Sequence, residues 1–404
     1  MVVFDVEGVL IPRYRLFFEV GRSLGAVPLL KILFYGFLYE IGAMRLIEAL
    51  KHLYKIARGA RADLFIQTYE KLPIMPNAKE IFAKLRAENC RIALISSGLP
   101  TFLVERLSKT LGADYAVGIE VGIEDEVLTG EIWGDVIEHR GKALVFREIV
   151  ESEGLSLKDC VVVADDRNNS SLFVREVLKI GYSPDFVIRA KADAVVNGRF
   201  SKILPLVNGE MRRRNLPSKS DVLREVIHGS GFFVPLIVLW IGLPLAVFMI
   251  VAVIAFYVVS EWARLQGKNM PVISAITRHA ASQAELGEFT LAPIYFAVGI
   301  LFTLLLFPAR ASGAAIAIFA LGDSSASLIG SSLSGRPLPF NRAKTLQGSL
   351  GGFIFASLAG SFFVSPWLAL AGAAVAMTVE YLPLPVNDNV LMPLITGLAL
   401  TLLM

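Results

Sequence analysis

The chain has 404 residues, enough for more than one domain, and with 54% hydrophobic against 19% charged residues it is too apolar for an ordinary soluble enzyme. Its formal net charge of +3 is small and argues against a nucleic-acid partner. The apolar excess is uneven. Charged and apolar segments alternate up to about residue 225, and long apolar runs dominate beyond it.

The opening "MVVFDVEGVL" reads as a β-strand and not as a secretory leader, because Asp5 and Glu7 interrupt any apolar core. A soluble half that stays in the cytoplasm is expected. Cys90 and Cys160 offer neither a metal spacing nor a disulfide framework, and they read as buried thiols in a reducing compartment.

A helical insertion is expected at about 12–75. Within it, "VPLLKILFYGFLYEIG" (27–42) reads as the core of a small helical subdomain, or as a lipid-touching surface through Phe34, Tyr35, Phe37 and Tyr39. Further strand-like runs stand at 91–97, 160–165 and 185–190, and helical patterns such as 77–89 separate them. This alternation predicts an α/β doubly wound parallel sheet over 1–207. Such sheets bind ligands at the carboxyl ends of their strands.

Polar groups gather at those ends. Asp5 and Glu7 follow the first strand, Ser96 and Ser97 a second, and Asp165, Asp166, Asn168 and Asn169 a third, with Lys142 in "HRGKALV". Carboxylates, a serine and a lysine in this order suit phosphoryl transfer through an aspartyl phosphate, with Mg2+ bridging carboxylate and phosphate.

These motifs resemble the haloacid dehalogenase superfamily, in its phosphoserine-phosphatase-like branch with a helical cap after the first motif. The resemblance covers about residues 1–200. It implies Asp5 as nucleophile, Glu7 in place of a second Asp, Ser96 and Lys142 as phosphate ligands, and Asp5, Glu7 and Asp165 around the metal. "DVEGVL" also looks like the motif of phosphoserine:homoserine phosphotransferases. The fourth motif departs from the usual "GDGxND", reading "ADDRNN" with Asn169 last.

Residues 208–225 are polar and basic and read as a juxtamembrane linker, with Arg212–Arg214 facing solvent and anionic headgroups. Over 226–404, apolar segments near 230–243, 244–260, 290–307, 311–332, 346–364, 366–380 and 389–404 predict an all-α polytopic transmembrane domain of about seven spans. Starting inside, the connections at 261–289 and 333–345 carry Arg264, Lys268, Arg278, Arg336, Arg342 and Lys344, whereas the opposite side offers only Arg310. By the positive-inside rule the polar motifs face the cytoplasm with the soluble domain.

Those motifs include Arg224 and His228, Glu261 and Arg264, Glu285 in "RHAASQAELGEFT", Asp323 in "LGDSSAS", Arg342 and Lys344 in "NRAKTLQGS", and Glu380, Asp388 and Asn389. Small-residue packing accounts for "SSAS" but not for Asp323 among apolar neighbours. Acids with Lys and Arg at a membrane surface suit Mg2+ and a nucleotide triphosphate. "GSSLSGRP" has Arg336 where a Walker A lysine would stand and no strand before it, which excludes a conventional P-loop.

The order "R…H…G", "E..R", "GDSSASLIG", "KTLQGS" and "E…P…NDN…P" resembles the CTP-dependent lipid kinases: dolichol kinase, phytol kinase and the CTP-dependent diacylglycerol kinase. It covers about 224–395. Two departures stand out, Gln347 after "KT" and Asn387 in the last motif. The resemblance implies that Asp323 ligates Mg2+ or orients the substrate hydroxyl. Glu285 and Asp388 are further metal or base candidates, and Lys344, Arg342, Arg264, His228 and Asn389 form the CTP-binding set.

The expectation is therefore a bifunctional membrane enzyme. A phosphatase is fused to a CTP-dependent kinase of a polyprenol or dolichol-type lipid alcohol, and the lipid bilayer and CTP are its partners. Diacylglycerol, phytol and geranylgeraniol are alternative substrates, a regulatory phosphatase-like domain is an alternative role, and a homodimer stays open. A CDP-lipid synthase is the competing chemistry, against which "NDN" replaces the aspartate-arginine-x-aspartate of such enzymes.

Overall fold

The computed structural model describes every residue except 41–42, 139, 210–216, 218, 267, 269–276, 278–288, 334–335, 340, 343, 383 and 385. Arg212–Arg214, Arg278 and Glu285 thus lie outside the described residues. The chain divides into two units, Met1–Gly209 and Glu210–Met404.

The first unit is built on a seven-stranded sheet. Its strands are β1 (Val2–Asp5), β2 (Ile92–Pro100), β3 (Tyr115–Glu124), β4 (Val127–Trp133), β5 (Val161–Ala164), β6 (Leu178–Tyr182) and β7 (Ala194–Val196). They lie in the order β4-β3-β2-β1-β5-β6-β7, all parallel except the β3–β4 hairpin. All residues of β1, β2 and β5 are buried, as continuous apolar runs covered on both faces must be. Strand β1 is central, between β2 and β5, so their carboxyl ends adjoin.

Four helices, α1 (Arg15–Leu24), α2 (Ala26–Glu40), α3 (Leu46–Ile56) and α4 (Ala62–Glu70), form the insertion between β1 and β2. Tyr54 is fully buried there, stacked on Phe65 and edge-on to Phe17. Of the four aromatic residues expected at lipid, Phe34 and Phe37 are exposed. Tyr35 instead stacks on His52 at 4.3 Å, and Tyr39 is buried. The remaining helices are α5 (Ala78–Ala87), α6 (Thr101–Leu111), α7 (Gly141–Ser152), α8 (Phe186–Lys191) and α9 (Ile203–Val207).

The run at 185–190 is helix α8 and not the expected strand. Asp185 accepts from the backbone N–H of Ile188 at 2.9 Å, a cap that overrides the β-branched composition after it. The β3–β4 hairpin escaped the sequence pattern because its faces alternate weakly. It turns through Asp125 and Glu126, both at positive φ. Cys160 is buried as expected, but Cys90 is only half-buried.

The second unit is helical: α10 (Lys219–Gly229), α11 (Phe233–Ile241), α12 (Leu243–Leu265), α13 (Ala292–Leu306), α14 (Ala309–Ser332), α15 (Leu346–Gly360), α16 (Pro366–Tyr381) and α17 (Asp388–Leu403). Among the described residues three helical stretches are long and apolar enough to cross a membrane: Ser220–Ile241, Leu243–Leu265 and Ala309–Ser332. The first begins inside the segment read as a linker. The other four helices have 15 or 16 residues, about 22–24 Å at 1.5 Å per residue, short of a ~30 Å hydrocarbon core.

Helix α14 is the centre of this unit. Of its apolar window 61% is buried, against 17% and 11% in the other two stretches, which leave most of their apolar surface uncovered. Gly322, Ala326 and Gly330 meet Gly348, Gly352 and Ala356 of α15. A Cβ on Gly352 would lie 2.8 Å from Ala326 Cβ and 2.9 Å from the Gly322 carbonyl oxygen. Small residues four apart on both helices allow that approach.

Candidate functional sites in the two units

In the first unit the parallel register pairs Asp5 with Ile95 and Phe4 with Val163. Ser96 and Asp165 therefore emerge beside Asp5 at the carboxyl edge. Lys142 Nζ donates to Asp5 Oδ1 at 2.7 Å and to Asn169 Oδ1 at 2.7 Å, and Asn169 Nδ2 donates to Asp5 Oδ2 at 2.7 Å. The three side chains form a closed, buried ring. Burial opposes the Lys142 charge, but Asp5 and then Glu7 outweigh it and hold the ammonium above its ordinary range.

Glu7 stands apart from that ring. Ser96 Oγ donates to Glu7 Oε2 at 2.8 Å and itself accepts from the N–H groups of Leu99 at 2.8 Å and Gly98 at 3.2 Å. A Cβ on Gly98 would fall 2.3 Å from Glu7 Oε1, so the glycine makes room for the longer carboxylate. Burial, seconded by the charge of Asp5, pushes the Glu7 carboxyl up to about 7, against Lys142 and the Ser96 hydrogen bond. From the helical insertion, Tyr54 donates to the Gly98 carbonyl at 2.8 Å.

Asp5, Asp165 and Asp166 place carboxylate oxygens within 4.8 Å of one another. Asp165 Oδ1 is buried with no hydrogen-bond partner, while Oδ2 pairs with the Arg13 guanidinium. An all-oxygen acidic set with one orphaned oxygen fits a hard divalent cation such as Mg2+. Glu7, also expected around the metal, is not in that set, whereas Asp166 is. Gly8, at φ +79°, carries the loop past Asp165, whose Oδ2 would lie 1.8 Å from a Cβ there.

The sequence reading missed three partners. Arg13 stands eight residues after Asp5 with no local signal of its role. Tyr39, at the end of α2, donates to Asp166 Oδ2 at 3.3 Å and accepts from Asn168 Nδ2. The Arg167 guanidinium lies 4.7 Å from the centre of the Tyr39 ring. Helix α2 is thereby latched to the turn after β5.

With that geometry in view, residues 2–168 match the family of haloacid dehalogenase-like hydrolases. The first unit carries a haloacid dehalogenase-like domain. Its relatives include a phosphoserine phosphatase of Archaeoglobus fulgidus, 28% identical over 198 residues, 49% of this chain and 56% of that one. A phosphoserine phosphatase of Methanocaldococcus jannaschii is 31% identical over 141 residues, 34% of this chain and 66% of that one. The chain thus spans less than two thirds of the length of these relatives. Among solved structures, a phospho-aspartyl intermediate analogue of phosphoserine phosphatase is 22% identical, with a TM-score of 0.47 over 51% of this chain and 97% of that one. Beside this haloacid dehalogenase-like domain, the second unit holds a polar cluster of its own.

There Lys344 Nζ lies 3.3 Å from Asp323 Oδ1 and also donates to Glu380 Oε1. His228 Nδ1 lies 3.5 Å from Asp323 Oδ2, and its Nε2 lies 3.1 Å from Asn389 Oδ1. Four of the expected residues, His228, Asp323, Lys344 and Asn389, thus meet. Asp388, also expected there, is the first residue of α17.

Two acids outside the expected site set join them. Glu225 accepts from Ser327 Oγ at 2.8 Å and comes within 4.8 Å of the His228 and Asp323 ligand atoms, and Glu380 is 1% exposed. Glu225 lies three residues before His228, one helical turn away, a spacing that marks a shared face.

Other expected residues are placed differently. Arg264 pairs with buried Glu261 at 2.8 Å, and Glu261 Oε2 also accepts from the N–H of Thr290 at 3.1 Å, so this pair ties α12 to the start of α13. Arg342 is exposed. Glu285 lies outside the described residues.

Proposed function

We propose that the first unit is a phosphatase of the haloacid dehalogenase type. The observation that carries this reading is the division of labour between two carboxylates two residues apart: Asp5 ion-paired to Lys142, and Glu7 held up to about 7. An Asp5 carboxylate oxygen attacks phosphorus while Glu7 protonates the departing alkoxide. Water then attacks the resulting aspartyl phosphate, with Glu7 taking its proton, and phosphate leaves. Ser96 and Lys142 hold the phosphoryl oxygens. Asp5, Asp165 and Asp166 would hold Mg2+, which supplies positive charge against the phosphoryl group. Release of inorganic phosphate from aryl and lipid phosphates tests the reading, and an inactive parent enzyme with Mg2+ present would sink it.

For the second unit we infer a CTP-dependent lipid kinase in the membrane, with a polyprenol-type alcohol as acceptor and its polar cluster facing the cytoplasm. The supporting observation is Lys344 bridging Asp323 and Glu380 among apolar helices, where uncompensated charge is costly and marks function. Lys344 would meet CTP phosphates, and Asp323 with Glu225 would serve metal or hydroxyl. Incubation with γ-labelled CTP and a panel of lipid alcohols separates the alternatives. Label in lipid supports a kinase, whereas pyrophosphate release with cytidylyl-lipid supports a CDP-lipid synthase.

A further inference from the structure

Helix α2 carries its apolar residues on the wrong side for a soluble domain. Val27, Leu30, Leu33, Phe34 and Phe37 are 62, 65, 48, 56 and 60% exposed, while Ile32 and Tyr39 are buried on the opposite face. Positions 27, 30, 34 and 37 follow the three-four spacing of one helical stripe. Lys31 is exposed within that stripe. A long aliphatic stem ending in an ammonium can snorkel from apolar surroundings to headgroups.

We propose that this face of α2 lies in the interfacial layer of the bilayer. Two observations favour lipid over a second copy of the chain. The same chain carries three stretches able to cross a membrane, and the first starts at Ser220, eleven residues after Gly209. The stripe is also narrow: five side chains, against the ~20–30 residues a side of a stable protein interface. Phenylalanines and leucines with a lysine among them suit an interfacial helix.

The placement has a chemical consequence, which rests on the phosphatase reading. The helix that would meet lipid also latches Asp166 and Asn168 through Tyr39. The site is then served from the membrane, and its substrate class is a phosphate monoester with an apolar tail.

The test uses the full chain in nanodiscs. Nitroxide labels at L30C, F37C and, as control, K79C at an exposed position of α5 are introduced on a C90S background. At 30 and 37 the labels are expected to be open to oxygen and shielded from a water-soluble nickel chelate, with the reverse at 79. Equal nickel access at all three overturns the proposal. So does spin–spin broadening at 30 and 37 that vanishes on dilution with unlabelled chain, because that outcome assigns the face to a second copy.

In the same discs, L30E/F34E is expected to lower kcat/KM on a long-chain alkyl phosphate by about tenfold or more, as two lost apolar burials require, while p-nitrophenyl phosphate turnover stays within about twofold. Equal loss on both substrates overturns the substrate assignment. A parent enzyme inactive on both refutes the phosphatase reading and leaves the label result to decide the membrane contact.

Discussion

Asn169 donates its amide to both Asp5 and Asp166, at 2.7 and 2.9 Å, and so holds two carboxylates of the acidic set together. An aspartate there would remove both donors and add a like charge. Asn169→Asp is expected to destabilise the metal-free first unit by about 1–3 kcal/mol. Added Mg2+ should then raise the Tm of the variant more than that of the parent. Thermal melts with and without Mg2+ check this, and equal shifts would show that Asn169 does not substitute for metal.

Lys142 and Asp5 form a buried pair, with side chains 3% and 5% exposed. Removing one partner leaves an uncompensated buried charge. Lys142→Met is expected to cost about 3–5 kcal/mol of stability, read from urea unfolding of the first unit. Asp5→Asn keeps the shape, and should abolish phosphate release while CTP-dependent labelling of lipid continues. Loss of both activities would refute the independence of the two sites.

The Glu7 carboxyl, raised to about 7 from an ordinary 4.5, gives a pH dependence of definite sign. The folded chain holds this proton more tightly than the unfolded chain. Its contribution to stability is therefore complete below pH ~4.5 and is lost as pH rises through about 7. Leaving-group protonation is lost over the same upper range, so turnover limited by that step should fall above pH ~7. Glu7→Gln should remove that limb along with most activity. A parent profile flat from pH 6 to 8.5 would contradict the assignment of Glu7 as the acid.

Much of the first site was legible because strand ends are local in sequence. Apolar β-runs followed by Asp5, Ser96 and Asp165 put those residues on one edge once the sheet is parallel. Arg13 and Tyr39 were illegible for the opposite reason: they reach the site through the path of the helical insertion, which no periodicity encodes. The segment at 185–190 misled because composition favoured a strand, and one capping aspartate reversed it. In the second unit, charge among apolar residues exposed Asp323 and Lys344. Arg264 pairs with Glu261 one turn earlier on the same helix, a local contact that the three-residue spacing carries. The four helices of 15 or 16 residues read as spans because they are apolar along their length, which composition shows and helix length does not.

The contact of α14 with α15 supplies a test confined to the second unit. A side chain on Gly352 must displace Ala326, Met377 or the Gly322 backbone, all within 3 Å of the Cβ position. Gly352→Val should therefore separate the helices or strain them, at a cost of about 1–3 kcal/mol. Asp323 stands one residue after Gly322, so the same change should shift it relative to Lys344, 3.3 Å away. The expected result is a lower Tm of the detergent-solubilised chain together with reduced CTP-dependent labelling of lipid, while phosphate release from an aryl phosphate is unchanged. Gly352→Ala, with a single added methyl, should fall between the parent and the valine variant. If the valine variant labels lipid at the parental rate, the close approach of these helices does not position the polar cluster.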